Sequence, residues 1–207
     1  MNRHRCARSA KGGRFTYVGY SDGALAVIDS AMIKQTSSIK LAAHPESFQL
    51  EQQGDRMFVN VPDAKQIAVV DREKQTTIAT WPMKEFQANF PMALDEANHR
   101  LFVGCLKPAR LVAFDTTTGK PVTDLAIPAV TDAIFYDPAL NHLYVSCGEG
   151  FVDVIEQRDA DHYQLRKRIP TRAEARTSFF SAELNAFYLA VPERGNPEAE
   201  IHVFRAQ

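Results

Sequence analysis

Short apolar runs, each broken by turn-forming residues, follow one another along the whole chain. In residues 56–71 the run Met57-Phe58-Val59-Asn60-Val61 meets a Pro-Asp turn signal and is answered by Ile67-Ala68-Val69-Val70, closed by Asp71. Two β-rich runs joined by turn chemistry predict a hairpin. The chain repeats this phrase. Tyr17-Val18-Gly19 leads to Ala26-Val27-Ile28-Asp29, Phe102-Val103-Gly104 to Val112-Ala113-Phe114-Asp115, and Tyr144-Val145-Ser146 to Asp153-Val154-Ile155-Glu156. A fifth copy runs from Tyr188-Leu189-Ala190 to Ile201-His202-Val203-Phe204. The repeat valine, at 18, 59, 103 and 145 with leucine at 189, recurs every 41 to 44 residues. Leu50, Leu94, Tyr136 and Phe180 each precede it by nine residues. A fixed period in this range is the mark of propeller blades.

Each period resolves into four strands. An inner strand A is expected at 47–50, 91–94, 133–136 and 177–180, followed by the Tyr/Phe-Val strand B and the strand C that ends in Asp or Glu. The outer strand D is expected at 37–41, 77–81, 122–127 and 163–169. Helical periodicity is nearly absent, and residues 193–200, with Gly195, Asn196 and Pro197, read as a loop insertion. The expected fold is all-β: one β-propeller domain over residues 1–207, with antiparallel blades at about 5–41, 46–81, 90–127, 132–169 and 176–204. Four blades are complete and the fifth lacks strand D. The chain is then either a small five-bladed ring or an open arc, and an arc would expose blade edges that favour a homodimer.

Composition narrows the function classes. Lys plus Arg (24) balances Asp plus Glu (25) to a net charge of −1, so no global field recruits nucleic acid or an anionic membrane. No apolar run approaches the roughly 18 residues of a membrane helix. The basic start, MNRHRCARSAKGGR, lacks the apolar segment of a secretory signal, so a cytoplasmic location is expected for the chain as it stands. Cys6, Cys105 and Cys147 are too few and too scattered for a disulfide framework or a zinc site, and are expected as free thiols, Cys105 and Cys147 in the core.

The segments YVGYSDGALAVID, FVNVPDAKQIAVVD, FVGCLKPARLVAFDTTTGK and YVSCGEGFVDVIE resemble the YVTN-repeat β-propeller proteins, the YncE-like family. The likeness covers essentially the whole chain, and Asp115-Thr116-Thr117-Thr118-Gly119-Lys120 resembles that family's most typical C–D turn. It implies a propeller, commonly of about seven blades and often exported or periplasmic, and implies no particular activity. By this resemblance the chain is similar to the C-terminal blades of a longer member.

In an up-and-down meander the D–A and B–C loops share one face of each blade. The polar residues that open each strand A, namely His44, Glu46, Asn89, Thr131, Asp132 and Arg176, are therefore the candidate ligand-binding set. Asp63, Lys65, Lys107, Arg110, Glu149 and Arg194 stand on the B–C loops beside them. Convergent charge in a concavity suits an anionic small molecule or a metal, although propeller channels are polar for structural reasons alone. Ser47 and Thr177 have no placeable His/Asp relay, and Gly148-Glu149-Gly150 precedes a strand rather than a helix, so it is no dinucleotide fingerprint. The basic group Arg166, Lys167, Arg168 and Arg172 is split across two faces by strand alternation.

Two readings follow. One is a non-catalytic binding or scaffold protein without a cofactor, holding a protein or small-molecule partner on the loop-rich face. The other is a lactonase-like or dehydrogenase-like propeller enzyme in which His44, Glu46, Asp132 and Arg176 bind metal or substrate.

Overall fold

The computed structural model describes residues 7–9, 13–195 and 198–206. Cys6 and the centre of the 193–200 loop lie outside them. The described residues form nineteen strands and one short 3-10 turn, Pro62–Ala64. The first four strands, β1 (Ala7–Ser9), β2 (Phe15–Tyr20), β3 (Ala24–Asp29) and β4 (Lys34–Lys40), make one antiparallel sheet. The second holds β5 (Phe48–Leu50), β6 (Arg56–Val61), β7 (Gln66–Asp71) and β8 (Thr76–Pro82). The third holds β9 (Gln87–Asp95), β10 (Arg100–Lys107), β11 (Ala109–Asp115) and β12 (Pro121–Ala126). The fourth holds β13 (Thr131–Asp137), β14 (His142–Cys147), β15 (Phe151–Gln157) and β16 (Tyr163–Pro170). The last has three strands, β17 (Thr177–Ser181), β18 (Ala186–Val191) and β19 (Glu200–Arg205). These are β-propeller blades, and each is a simple meander in which every strand pairs with its neighbour in sequence. The chain divides into two compact units, Met1–Phe90 and Pro91–Gln207.

The repeated aspartate has a turn-closing job. Asp29 Oδ1 accepts the backbone N–H groups of Ala31 and Met32 (both 3.1 Å), and Asp71 Oδ1 accepts that of Lys74 at 2.9 Å. Asp115 Oδ1 accepts from Thr117 and Thr118 at 3.0 and 2.7 Å. A short carboxylate reaches its own turn in this way, which is why Asp suits the position. Glu156 is one methylene longer and instead receives Gln164 Nε2, while Asp159 closes that turn through Asp161 and His162. Four residues after each turn-closing Asp of the first three blades the backbone turns left-handed: Ile33 (φ 51°), Gln75 (φ 56°) and Gly119 (φ 70°). Only the last is the residue that conformation favours.

A second regularity is invisible in the sequence. Every C–D pairing carries a bulge just before the repeat acid, between Val27 and Ile28, Val69 and Val70, Ala113 and Phe114, and Val154 and Ile155. The extra residue on strand D is Thr36, Ile78, Val122 or Arg166. Bulges sharpen local twist and swing the extra side chain outward.

Inside the first unit the core joins sheets one and two through Tyr17, Leu25, Ile39, Phe48, Met57 and Val59. Inside the second unit, sheets three and four share Phe102, Leu111, Ile134, Leu143 and Val145, with Leu125, Ile127 and Tyr163 of the outer region closing the layer. Sheets four and five share Tyr144, Val152, Val154, Phe187 and Leu189. Burying a side chain of the Phe or Leu class contributes about 1.5–3 kcal/mol, so these layers carry the fold. Cys105 and Cys147 are free and buried, as expected, and burial pushes both thiols up to about 12.

Candidate functional site

The candidate residues fall into one set in each unit. In the first, His44 sits in the connection from β4 to β5, its Nδ1 2.6 Å from the carbonyl oxygen of Ser21. A carbonyl only accepts, so Nδ1 carries the proton. His44 Nε2 is buried without a hydrogen-bond partner among the described residues. Glu46 is half-buried, and its N–H donates to Asn60 O at 2.9 Å. Asn89 is fully buried; its Nδ2 donates to Asn60 Oδ1 at 2.8 Å and to Gln66 O at 3.2 Å, while its Oδ1 has no partner.

In the second unit the loops are tied together by main-chain hydrogen bonds centred on Gly148. Its N–H donates to Val130 O at 2.9 Å, and its carbonyl accepts the Glu174 N–H at 2.7 Å. Glu149 donates its N–H to Ala129 O (3.2 Å) and takes the Ala129 N–H on Oε2 (2.7 Å). Glycine fits because a Cβ at 148 would lie 3.2 Å from Val130 Cβ and 3.3 Å from Arg176 Cδ. On this frame Thr131 is buried opposite Cys147, its hydroxyl making no hydrogen bond of normal geometry. Asp132 and Arg176 face each other at 4.0 Å, with 29% and 40% of their side chains exposed. A pair that long and that wet contributes little to stability, and both groups keep bonding capacity.

The rim residues divide. Arg110 pairs with Asp124 at 3.2 Å and Arg194 with Glu174 at 2.7 Å, whereas Asp63, Lys65 and Lys107 are exposed or half-exposed. Among the described residues no three His, Cys, Asp or Glu side chains gather in a metal-holding arrangement. Among the described residues no helix is long and apolar enough to cross a membrane.

Two features escaped the sequence reading. Arg168 is bound in a fork to Asp153, Nε to Oδ1 at 2.7 Å and Nη2 to Oδ2 at 2.8 Å, with Asp153 wholly buried. The odd Asp inside the apolar run of β15, facing a basic outer strand, was the available signal. The second is a cavity of about 250 Å³ between β16 and β19, floored by Tyr144, Val154, Phe187 and Phe204 and rimmed by Arg166, Lys167 and Arg205. Burial, with the negative charge of Asp137 beside it, pushes the Tyr144 phenol up to about 12, and burial and nearby Arg166 hold His142 below the usual imidazole range.

The uncharacterized protein YncE of Salmonella typhi is 25% identical over 183 residues, which cover 86% of this chain and 51% of the relative. YncE of Salmonella typhimurium is 24% identical over the same length. The chain is a β-propeller similar in sequence to YncE. It spans about half the length of the curated relatives it matches. No family model matches it. Among solved structures, the chain superposes on a chain of the mitotic checkpoint complex with a TM-score of 0.77 at 12% identity, covering 89% of itself and 57% of that chain. It superposes on Kuenenia stuttgartiensis hydrazine synthase with a TM-score of 0.76 at 12% identity, covering 97% and 62%. At such identity the likeness shows the fold alone.

Proposed function

We propose that this YncE-like propeller is a non-catalytic binding or scaffold protein that holds its partner on the D–A and B–C loops. The observation that carries this reading is the Gly148-centred lock. It fixes the loop backbones while leaving Asp132 and Arg176 open and only loosely paired. A pre-ordered surface loses little entropy when it binds, and that is what a recognition face needs. An Asp and an Arg side by side suit a partner that offers both a cation and a carboxylate, such as a zwitterionic small molecule or a charged protein surface. In the first unit the corresponding positions are His44, Glu46 and Asn89, of which His44 Nε2 and Asn89 Oδ1 are polar atoms that a bound polar group would satisfy. The enzyme reading has less support, because no nucleophile, base and orienting group come within hydrogen-bond reach of one another at these residues.

The test is a thermal-shift and calorimetry screen of the 207-residue chain against amino acids, dicarboxylates and short charged peptides, with Asp132→Ala and Arg176→Ala in parallel. At least one zwitterionic or charged probe should stabilise the parent and lose tenfold or more in affinity in both variants. Turnover of a probe, or binding that ignores both substitutions, would overturn the assignment.

A further inference from the structure

We propose that His142 makes the seam between sheets four and five an acid-sensitive joint, which opens when its imidazole takes up a proton. This goes beyond the loop-face reading, and its test needs no ligand.

The first reason is position. The residue that opens strand B lies opposite the repeat acid: Arg56 opposite Asp71, Arg100 opposite Asp115 and His142 opposite Glu156. Arg100 uses that place to clasp the next sheet. It holds Asp115 at 2.8 Å in its own sheet, and in sheet four the Ala160 carbonyl at 3.0 Å and Asp161 at 2.6 Å. A guanidinium does not lose its proton in a protein, so that clasp is permanent. Sheet four has an imidazole there instead, a group that changes charge between about pH 5 and 8.

The second reason is burial. His142 is 3% exposed, and its Nδ1 is buried without a hydrogen-bond partner among the described residues. It shares a face of β14 with Tyr144, two residues on, and the two rings meet edge-on at 6.3 Å. Tyr144 carries the seam: Phe180 and Phe187 of sheet five meet its ring at 5.1 and 5.5 Å between centroids. A charged imidazole beside these rings must give up water, so proton uptake favours a state in which the seam is open.

The third reason is charge, which fixes the direction. Asp137 lies opposite His142 on β13 and Glu156 on β15, but both are engaged. Asp137 takes the Ala139 N–H at 3.0 Å and the Tyr144 hydroxyl at 3.4 Å, and Glu156 takes Gln164 Nε2 at 2.8 Å. Against them stand Arg166 on the β16 bulge, with Lys167 and with Arg205 of sheet five on the same cavity rim. Burial first, then Arg166, holds the imidazole below its usual range despite the two carboxylates. The open form, with an ordinary imidazole, therefore binds more protons, and the closed seam loses stability as pH falls through about 6.5. Asp132 belongs to sheet four and Arg176 immediately precedes β17 of sheet five, so an opened seam parts them.

The experiment is amide hydrogen exchange of the 207-residue chain at about pH 7.5 and about pH 5.5, corrected for intrinsic rates. Opening at Phe180, Phe187 and Leu189 should rise by up to about tenfold at the lower pH, and the rise should be confined to sheets four and five. His142→Gln should abolish it. Should that variant fail to fold, Arg166→Gln, at an exposed position, decides alone. Without the repelling charge the closed seam accepts the proton more readily, and the rise should at least halve. No rise in the parent, a rise spread evenly over all five sheets, or a rise unchanged in either variant overturns the inference. A rise abolished by His202→Gln and not by His142→Gln would place the switch on β19 and equally overturn it.

Discussion

Asn89 Nδ2 and Asn60 Oδ1 meet at 2.8 Å with both side chains wholly buried, fastening the head of β9 to the C-terminal end of β6. Asn60 Nδ2 completes the clasp on Phe90 O at 3.0 Å. Breaking such a bond strands the surviving partner, and a stranded buried amide costs about 1–3 kcal/mol. Asn60→Ala should lose that much in urea unfolding. Asn60→Ala/Asn89→Ala should lose clearly less than the sum of the singles, because one bond cannot be lost twice. Additive losses would mean that the two amides act separately.

Ile33 adopts a left-handed backbone, φ 51°, at a position where the third blade has Gly119, and it is 87% exposed, so packing offers no compensation. A left-handed conformation costs an L-residue about 1–2 kcal/mol, more than the entropy glycine adds to the unfolded chain. Ile33→Gly should therefore raise stability by about 1 kcal/mol, read as a higher melting temperature.

Removing Arg168 leaves the wholly buried Asp153 carboxylate without its partner. Arg168→Met should cost about 3–5 kcal/mol, and the double variant Arg168→Met/Asp153→Leu should recover most of it. Equal loss in single and double variants would locate the cost in the Arg168 guanidinium lying over the Phe151 ring.

Hydrogen bonds into the turns hold Asp29, Asp71, Asp115 and Asp159 below the usual carboxylate range. For Asp29 the Arg14 side chain leads, for Asp71 the Lys74 backbone, and for Asp159 the Asp161 backbone. For Asp115, burial pulls the other way and is outweighed by the Thr118 backbone and hydroxyl. A carboxylate with a lowered folded pKa stabilises fully above its unfolded pKa of about 4. It gives that stability up as pH falls through the lowered value. The quadruple Asp→Asn variant should show a flatter loss of stability below about pH 4 than the parent, measured by urea midpoint against pH.

Cys105 and Cys147, with thiols near 12 and no exposed surface, should resist Ellman's reagent at pH 8 in a Cys6→Ser background. Both should react at once in guanidinium. Fast reaction in the native state would show that sheets three and four open readily.

The blades were legible because their signals are local and repeated: the Val of strand B, the Asp of the C–D turn, the nine-residue lead from strand A. The role of that Asp was not, since nothing in its spacing says which N–H groups it receives, and Glu156 looked equivalent although Asp159 does its work. The bulge before each repeat acid leaves no trace in the hydrophobic pattern, because Thr36, Ile78, Val122 and Arg166 share no chemistry. Of the candidate site, sequence placed Asp132 and Arg176 on one pair of loops, but the Gly148 lock beneath them is backbone to backbone and has no residue signature. The Asp153–Arg168 fork was missed because Asp153 opens an apolar strand run and Arg168 is one member of a basic cluster.

Because every strand pairs with its neighbour in sequence, each four-stranded sheet is complete within about 40 residues of where it starts. Synthesis of that length takes a few seconds at ~5–20 residues per second, while hairpins form in about 1–10 μs. Each blade therefore has time to form on the ribosome before the next has been made, and the partly made chain always presents its newest sheet as a raw edge.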